Sequence, residues 1–143
     1  MIFTNMETKF NFNSAICTSR SQSERLLALG LRKETADIVH FFSRSLAQDW
    51  TIVPLAENET ARQIQDNEIP AWSLHRLIEM MPKCIAIDGD SAYPLQITKR
   101  YDGQWVVGYQ GWYDCVGDLY DSVIWIYQLL ISEGYLDEFC NKD

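Results

Sequence analysis

Cys17, Cys84, Cys115 and Cys140 are the chain's four cysteines, and His40 and His75 its two histidines. These are the side chains best suited to nucleophilic or metal chemistry. No two cysteines stand in CxxC spacing and none in CxxH spacing, which argues against a zinc ribbon or finger. In a chain long enough to bury a core, such cysteines act as small buried hydrophobes rather than as a disulfide framework. Both histidines fall on polar faces of predicted helices, and His75 has Glu79 one turn on, the spacing of a surface pair. A cysteine–histidine hydrolase using Cys84 or Cys115 has no local feature to support it. No GxSxG, P-loop, GxGxxG or HExxH motif occurs. Asp114, Asp118 and Asp121 have helical spacing and the oxygen chemistry of a hard cation site. They also lie where the N-terminal dipole of a helix favours carboxylates. Asp88-Gly89-Asp90 has too few ligands for a calcium loop. The expectation is therefore no catalytic residue, no metal site and no cofactor, and the balance points away from an enzyme.

The aromatic residues give the candidates for binding. Residues 108–114 place Tyr109, Trp112 and Tyr113 around two glycines, a composition that can stack on a base or a sugar ring. Nucleic-acid platforms pair such rings with a basic groove, whereas the only cation after Tyr101 is Lys142. Core and turn roles are thus the first expectation for this segment, with Trp112 and Tyr113 kept as candidate contacts. Trp125 is the other candidate. On a helical wheel it shares a stripe with Asp121, Ser122, Gln128 and Ser132. Tryptophan is enriched at interface hot spots, so Trp125, Asp121 and Gln128 make a candidate interaction face. The alternative is that the N-terminal arm or another segment of the chain covers it.

Charge narrows the partner class. The 143 residues carry a formal charge of −8 and 47% hydrophobic residues, ordinary for a globular domain. Folding such a chain buries roughly two-thirds of its unfolded surface, enough for a core without staples. Phosphate-tracking proteins bind through Lys and Arg, so direct nucleic-acid binding is not expected and a basic protein partner suits better. The longest uncharged apolar stretch, 123–131, is about half a membrane span. The N-terminus lacks a signal-like apolar run, and the Asn58-Glu59-Thr60 sequon is read as accidental. The expected location is the cytoplasm, with the monomer favoured over a dimer that would juxtapose two Asp121 carboxylates.

Several elements must position these residues. Residues 1–20 read as an arm and 21–143 as one domain. A first helix is expected at Ser21, where Ser21 and Glu24 have capping-box spacing, ending at Gly30. The spacing of Ile38, Val39, Phe42 and Leu46 predicts a second helix over 34–46. Trp50-Thr51-Ile52-Val53 reads as a strand ended by Pro54, and 57–68 as a polar surface loop. Ser73 caps a helix carrying Leu74, Leu77, Ile78 and Met81, ended by Pro82. Residues 93–110 form a hairpin around Asp102-Gly103. A loop of residues 101–103, pairing Arg100 with Gln104, gathers Leu95, Ile97, Trp105, Val107 and Tyr109 on one face. The last helix, 118–133, is apolar around most of its circumference and should be central.

Certain of these residues also carry a resemblance. Cys17-Thr18-Ser19, Gln22-Ser23, the segment ending Gly30-Leu31, Thr35-Ala36-Asp37, Ile69-Pro70-Ala71-Trp72-Ser73-Leu74 and Glu133-Gly134-Tyr135 together resemble one group. It comprises small uncharacterised proteins of gut Bacteroidales genomes and of their phages and mobile elements. Leu129-Leu130-Ile131 departs from the Trp-Leu-Leu of that pattern. The resemblance implies a short α+β protein and brings no catalytic or binding residue with it. The sequence as a whole predicts an α+β domain of three or four helices on a small antiparallel sheet built around the 93–110 hairpin. Its expected function is that of a non-enzymatic protein-interaction or accessory module of mobile DNA. The alternative is a small-molecule binder or minor enzyme with a pocket near the 108–114 turn.

Overall fold

The computed structural model describes residues 14–43, 49–55, 64–65, 67–86, 91–114 and 117–141. Among them are three α-helices, α1 (Arg20–Ala28), α2 (Leu74–Met80) and α3 (Leu119–Ser132). Eight strands complete the α+β fold: β1 (Ile38–Ser43), β2 (Asp49–Pro54), β3 (Glu68–Ala71), β4 (Cys84–Ile85), β5 (Tyr93–Pro94), β6 (Gln96–Lys99), β7 (Trp105–Tyr109) and β8 (Trp112–Asp114). They form three antiparallel sheets, ordered β2-β1-β3, β4-β5 and β6-β7-β8, rather than one sheet around the hairpin.

The predicted helix over 34–46 is the main correction. A single 3-10 turn covers Lys33–Thr35, and β1 then runs as the middle strand of its sheet. Ile38-Val39-His40-Phe41-Phe42 is a run of β-branched and aromatic residues, which a short apolar segment cannot distinguish from a helix by periodicity alone. Burial of Ile38, Val39 and His40 together shows a strand covered on both faces. His40 therefore lies in the interior, not on a polar helix face.

The first helix starts two residues earlier than expected. Ser19 is its cap, and Ser19 and Gln22, not Ser21 and Glu24, make the reciprocal capping box. Both α1 and α3 end in a Schellman motif. Leu31 N donates to Leu26 O and Gly30 N to Leu27 O, while Tyr135 N donates to Leu130 O and Gly134 N to Ile131 O. The strand expected at Trp50 spans Asp49–Pro54. Most of the expected 57–68 loop lies outside the described residues, but Ile64 is buried and Glu68 already belongs to β3.

The hairpin has the expected register. Arg100 N donates to Gln104 O at 2.7 Å, Lys99 faces Trp105, and Gly103 takes φ +89° in the loop. The hairpin ladder begins at Gln96, because Tyr93 and Pro94 pair instead with Ile85 and Cys84. Its inner face packs on α3. Trp72, Leu77, Ile85, Val107, Tyr109, Val123, Ile124, Ile126, Tyr127 and Leu130 form the main core, with Leu26 of α1 and Leu136 closing it. Hydroxyls inside this core are paired: Tyr127 donates to Leu77 O and Tyr109 to Pro82 O. A smaller cluster of Cys17, Ile38 and Ala71 lies on the β1 sheet.

Candidate functional site

Two grooves and one polar cluster bring chemistry-bearing side chains together. The first groove, of about 370 Å³, lies on the face of β6-β7-β8 turned away from the core. Strand alternation puts Gln96 and Thr98 of β6, Val106 and Gly108 of β7 and Tyr113 of β8 on that face, and Gln110 extends it. Gly108 pairs with Gln96 on one side and Tyr113 on the other, making one row across the sheet with no side chain at its centre. A Cβ on Gly108 would stand 2.0 Å from the Trp112 carbonyl oxygen, so the tight approach of β8 excludes any larger residue. Tyr113 is 60% exposed, whereas Tyr109 is core and Trp112 is half-buried with its ring edge-on to Tyr135. The three aromatics of this segment therefore take three different roles.

The second groove, of about 540 Å³, runs between residues 14–19 and β2 and includes Ile16, Cys17, His40, Ile52 and Asp118. Cys17 Sγ lies 4.0 Å from His40 Nε2, a juxtaposition that the distance between them in sequence hid. It is not a nucleophile–base pair. Nε2 lies 2.8 Å from Thr18 O, and a carbonyl can only accept, so Nε2 carries the proton and has no lone pair for the thiol. Burial, with Asp37 adding a smaller effect, pushes the Cys17 thiol up to about 11, so it stays protonated at neutral pH. Cys84 is exposed, Cys140 is half-buried, and Cys115 lies outside the described residues.

The polar cluster stands at the N-terminus of α3. Asp118 is the cap and Asp121 closes a capping box with it. Gln22 Nε2 donates to Asp121 Oδ1 at 2.9 Å, and Arg25 reaches the same oxygen at 3.2 Å. Part of the polar stripe is thus covered by α1, and Tyr120 Oη donates to Ala15 O. Asp121 is engaged inside the molecule. Trp125 is half-buried against the main core, Ser122 is buried, and Gln128 and Ser132 stay exposed. Asp114 is on β8 rather than in line with this helix. Among the described residues, no three His, Cys, Asp or Glu side chains gather as metal ligands. Asp88-Gly89-Asp90 lies outside them. His75 pairs with Glu79 at 3.7 Å on the surface of α2.

Desolvation alone would raise the Asp121 carboxyl, but hydrogen bonds from Gln22 and the Asp118 N–H, with the Arg25 charge, outweigh it and hold it below the ordinary carboxylate range. A lowered folded pKa means the stabilisation is complete above the unfolded value and is lost as pH falls through the folded one. Asp121→Asn is therefore expected to bring the urea midpoints at neutral pH and at about pH 2.5 closer together. Parent and variant losing equal stability on acidification would contradict this role.

Thr18, Ser23, Thr35, Asp37, Trp72 and Ser73, from separate stretches of the sequence, meet in space. Thr18 Oγ1 accepts from Trp72 N at 3.1 Å and bonds Ser23 Oγ at 2.8 Å, and Thr18 N donates to Trp72 O. The Trp72 indole donates to Thr35 Oγ1 at 2.9 Å. Ser73 donates to Asp37 through both its N–H and its hydroxyl, at 2.9 and 2.6 Å. These polar groups join α1, the 3-10 turn, β3 and α2, and they are largely buried. Their role is to lock the fold.

Comparisons with protein-family models, with curated proteins and with solved structures find no match to this chain. Among the described residues no helix is long and apolar enough to cross a membrane.

Proposed function

We propose that the protein is a non-enzymatic interaction module that takes an extended segment of a basic partner protein along the open edge of β2. One observation carries this reading: among the described residues β2 is an edge strand whose uncharged Thr51, Ile52 and Val53 face solvent. Ile52 and Val53 are 42% and 40% exposed, and Ile16, 60% exposed, shares the groove with Ile52. An edge of this kind offers backbone groups to an added strand and side-chain seats to its alternate residues. Asp118 at the groove and the net charge of −8 favour a basic segment. The resemblance to phage and mobile-element proteins supports an accessory role in that setting.

A photo-crosslinking residue at Ile52, introduced in the native host, is expected to trap a discrete partner. Val53→Lys, which guards the edge with a charge without touching the core, is expected to cut the adduct by about tenfold, roughly 1.4 kcal/mol of binding. No adduct, or an equal yield from both forms, would overturn the reading. Small-molecule binding is a second reading, favoured by the groove on β6-β7-β8.

A further inference from the structure

We infer that the outer face of β6-β7-β8 binds an uncharged pyranose, seated over Gly108 between Gln96 and Tyr113. This inference deepens the small-molecule reading and is independent of the β2 edge. The row Gln96–Gly108–Tyr113 spans two strand spacings, about 10 Å, with a bare backbone in the middle. Gly108 itself is buried against the β8 backbone, and it is the groove above this row that admits one saturated ring between a side-chain amide and an aromatic face. Thr98 and Val106, paired in the register, bound it on one side, and Gln110 bounds it on another.

The chemistry of the lining selects the ligand. Gln96, Gln110 and Thr98 supply amide and hydroxyl groups, each able to donate and accept, and Tyr113 supplies an exposed ring. Among the described residues none of these side chains is engaged in a hydrogen bond. Among the described residues no charged side chain lines the groove, and the chain carries −8, so a phosphate-bearing base is disfavoured. A neutral sugar matches: its C–H face can lie on the Tyr113 ring while its hydroxyls meet both amides. At about 370 Å³ and open to solvent, the groove suits one or two sugar units with weak affinity.

The test is a titration of the isotope-labelled full chain with glucose, galactose, mannose, N-acetylglucosamine and their disaccharides, followed by amide NMR. The expected result is saturable shifts for at least one sugar at the Gly108 amide and at the side-chain amides of Gln96 and Gln110. Tyr113→Ala should weaken binding by about tenfold or more, and Tyr113→Phe should retain it. Tyr113 is a surface residue, so unchanged thermal melting will show that both variants remain folded. Val53→Lys should bind sugar like the parent, which separates this site from the β2 edge. Absence of saturable shifts with every sugar would overturn the inference. So would binding by Tyr113→Ala equal to the parent's, or loss of binding in Tyr113→Phe.

Discussion

Trp72→Ala is expected to cost about 3–5 kcal/mol of folding stability, the scale for deleting a fully buried large aromatic. The indole is wholly inaccessible, sits in the main core, and donates to Thr35 Oγ1. Its backbone is fastened as well, through both Thr18 N and Thr18 Oγ1. Truncation leaves a cavity where four elements meet. For a domain with about 5–15 kcal/mol in total, that loss is large. Trp72→Phe keeps much of the burial but removes the indole N–H, so it should cost less, with about 1–2 kcal/mol from the hydrogen bond. Urea denaturation followed by far-ultraviolet circular dichroism measures both. An unchanged midpoint for Trp72→Ala would mean that the Ile69–Leu74 segment is a recognition surface rather than a structural lock.

Gly108→Ala is expected to be the most damaging single methyl addition on the hairpin. The new Cβ would meet the Trp112 carbonyl oxygen at 2.0 Å and the Tyr113 Cα at 2.9 Å, both backbone atoms that no rotamer change can move. The backbone conformation, φ +153°, adds about 1–3 kcal/mol of its own. Relief requires β8 to separate from β7, breaking the Val107–Asp114 and Tyr109–Trp112 pairings. Gly103→Ala is the matched control. Its φ is +89°, yet nothing lies within 4 Å of the added carbon, so it should cost only about 1–2 kcal/mol. Denaturation midpoints and hydrogen exchange at the β8 amides will report the difference. Equal stability of the two variants would remove the close strand approach as the reason for glycine here.

These two residues also mark how far the sequence is legible. Ser73 with Leu74, Leu77 and Met81 states a capped amphipathic helix, and α2 follows it. The hairpin register is legible because a slip of one residue would turn Trp105, Val107 and Tyr109 to the wrong face. Helix α3 could be read from its apolar girth and from Gly134. The 34–46 segment misleads because five consecutive β-branched or aromatic residues satisfy either period. Only pairing on both sides, with the adjacent β2 on one edge and the more distant β3 on the other, makes it a central strand. The α1 cap was missed for a local reason: Ser19 and Ser21 can both begin a capping box, and Gln22 rather than Glu24 closes it.

Of the candidate contacts, Trp125 and Asp121 could be placed on one helix stripe from the sequence, but their availability could not. That depends on α1 crossing the stripe with Gln22 and Arg25, a packing contact between segments nearly a hundred residues apart. Tyr113 was legible as an aromatic near a turn. Its exposure over a bare glycine comes from the pairing of β8 with β7. Local rules settle what is decided within a few residues: helix caps and stops, turn geometry, strand alternation and net charge. Which faces are covered, which strand is central and which side chains share a groove are settled by long-range packing. The free energy of burial there outweighs local preference, and its partners are not neighbours in the chain.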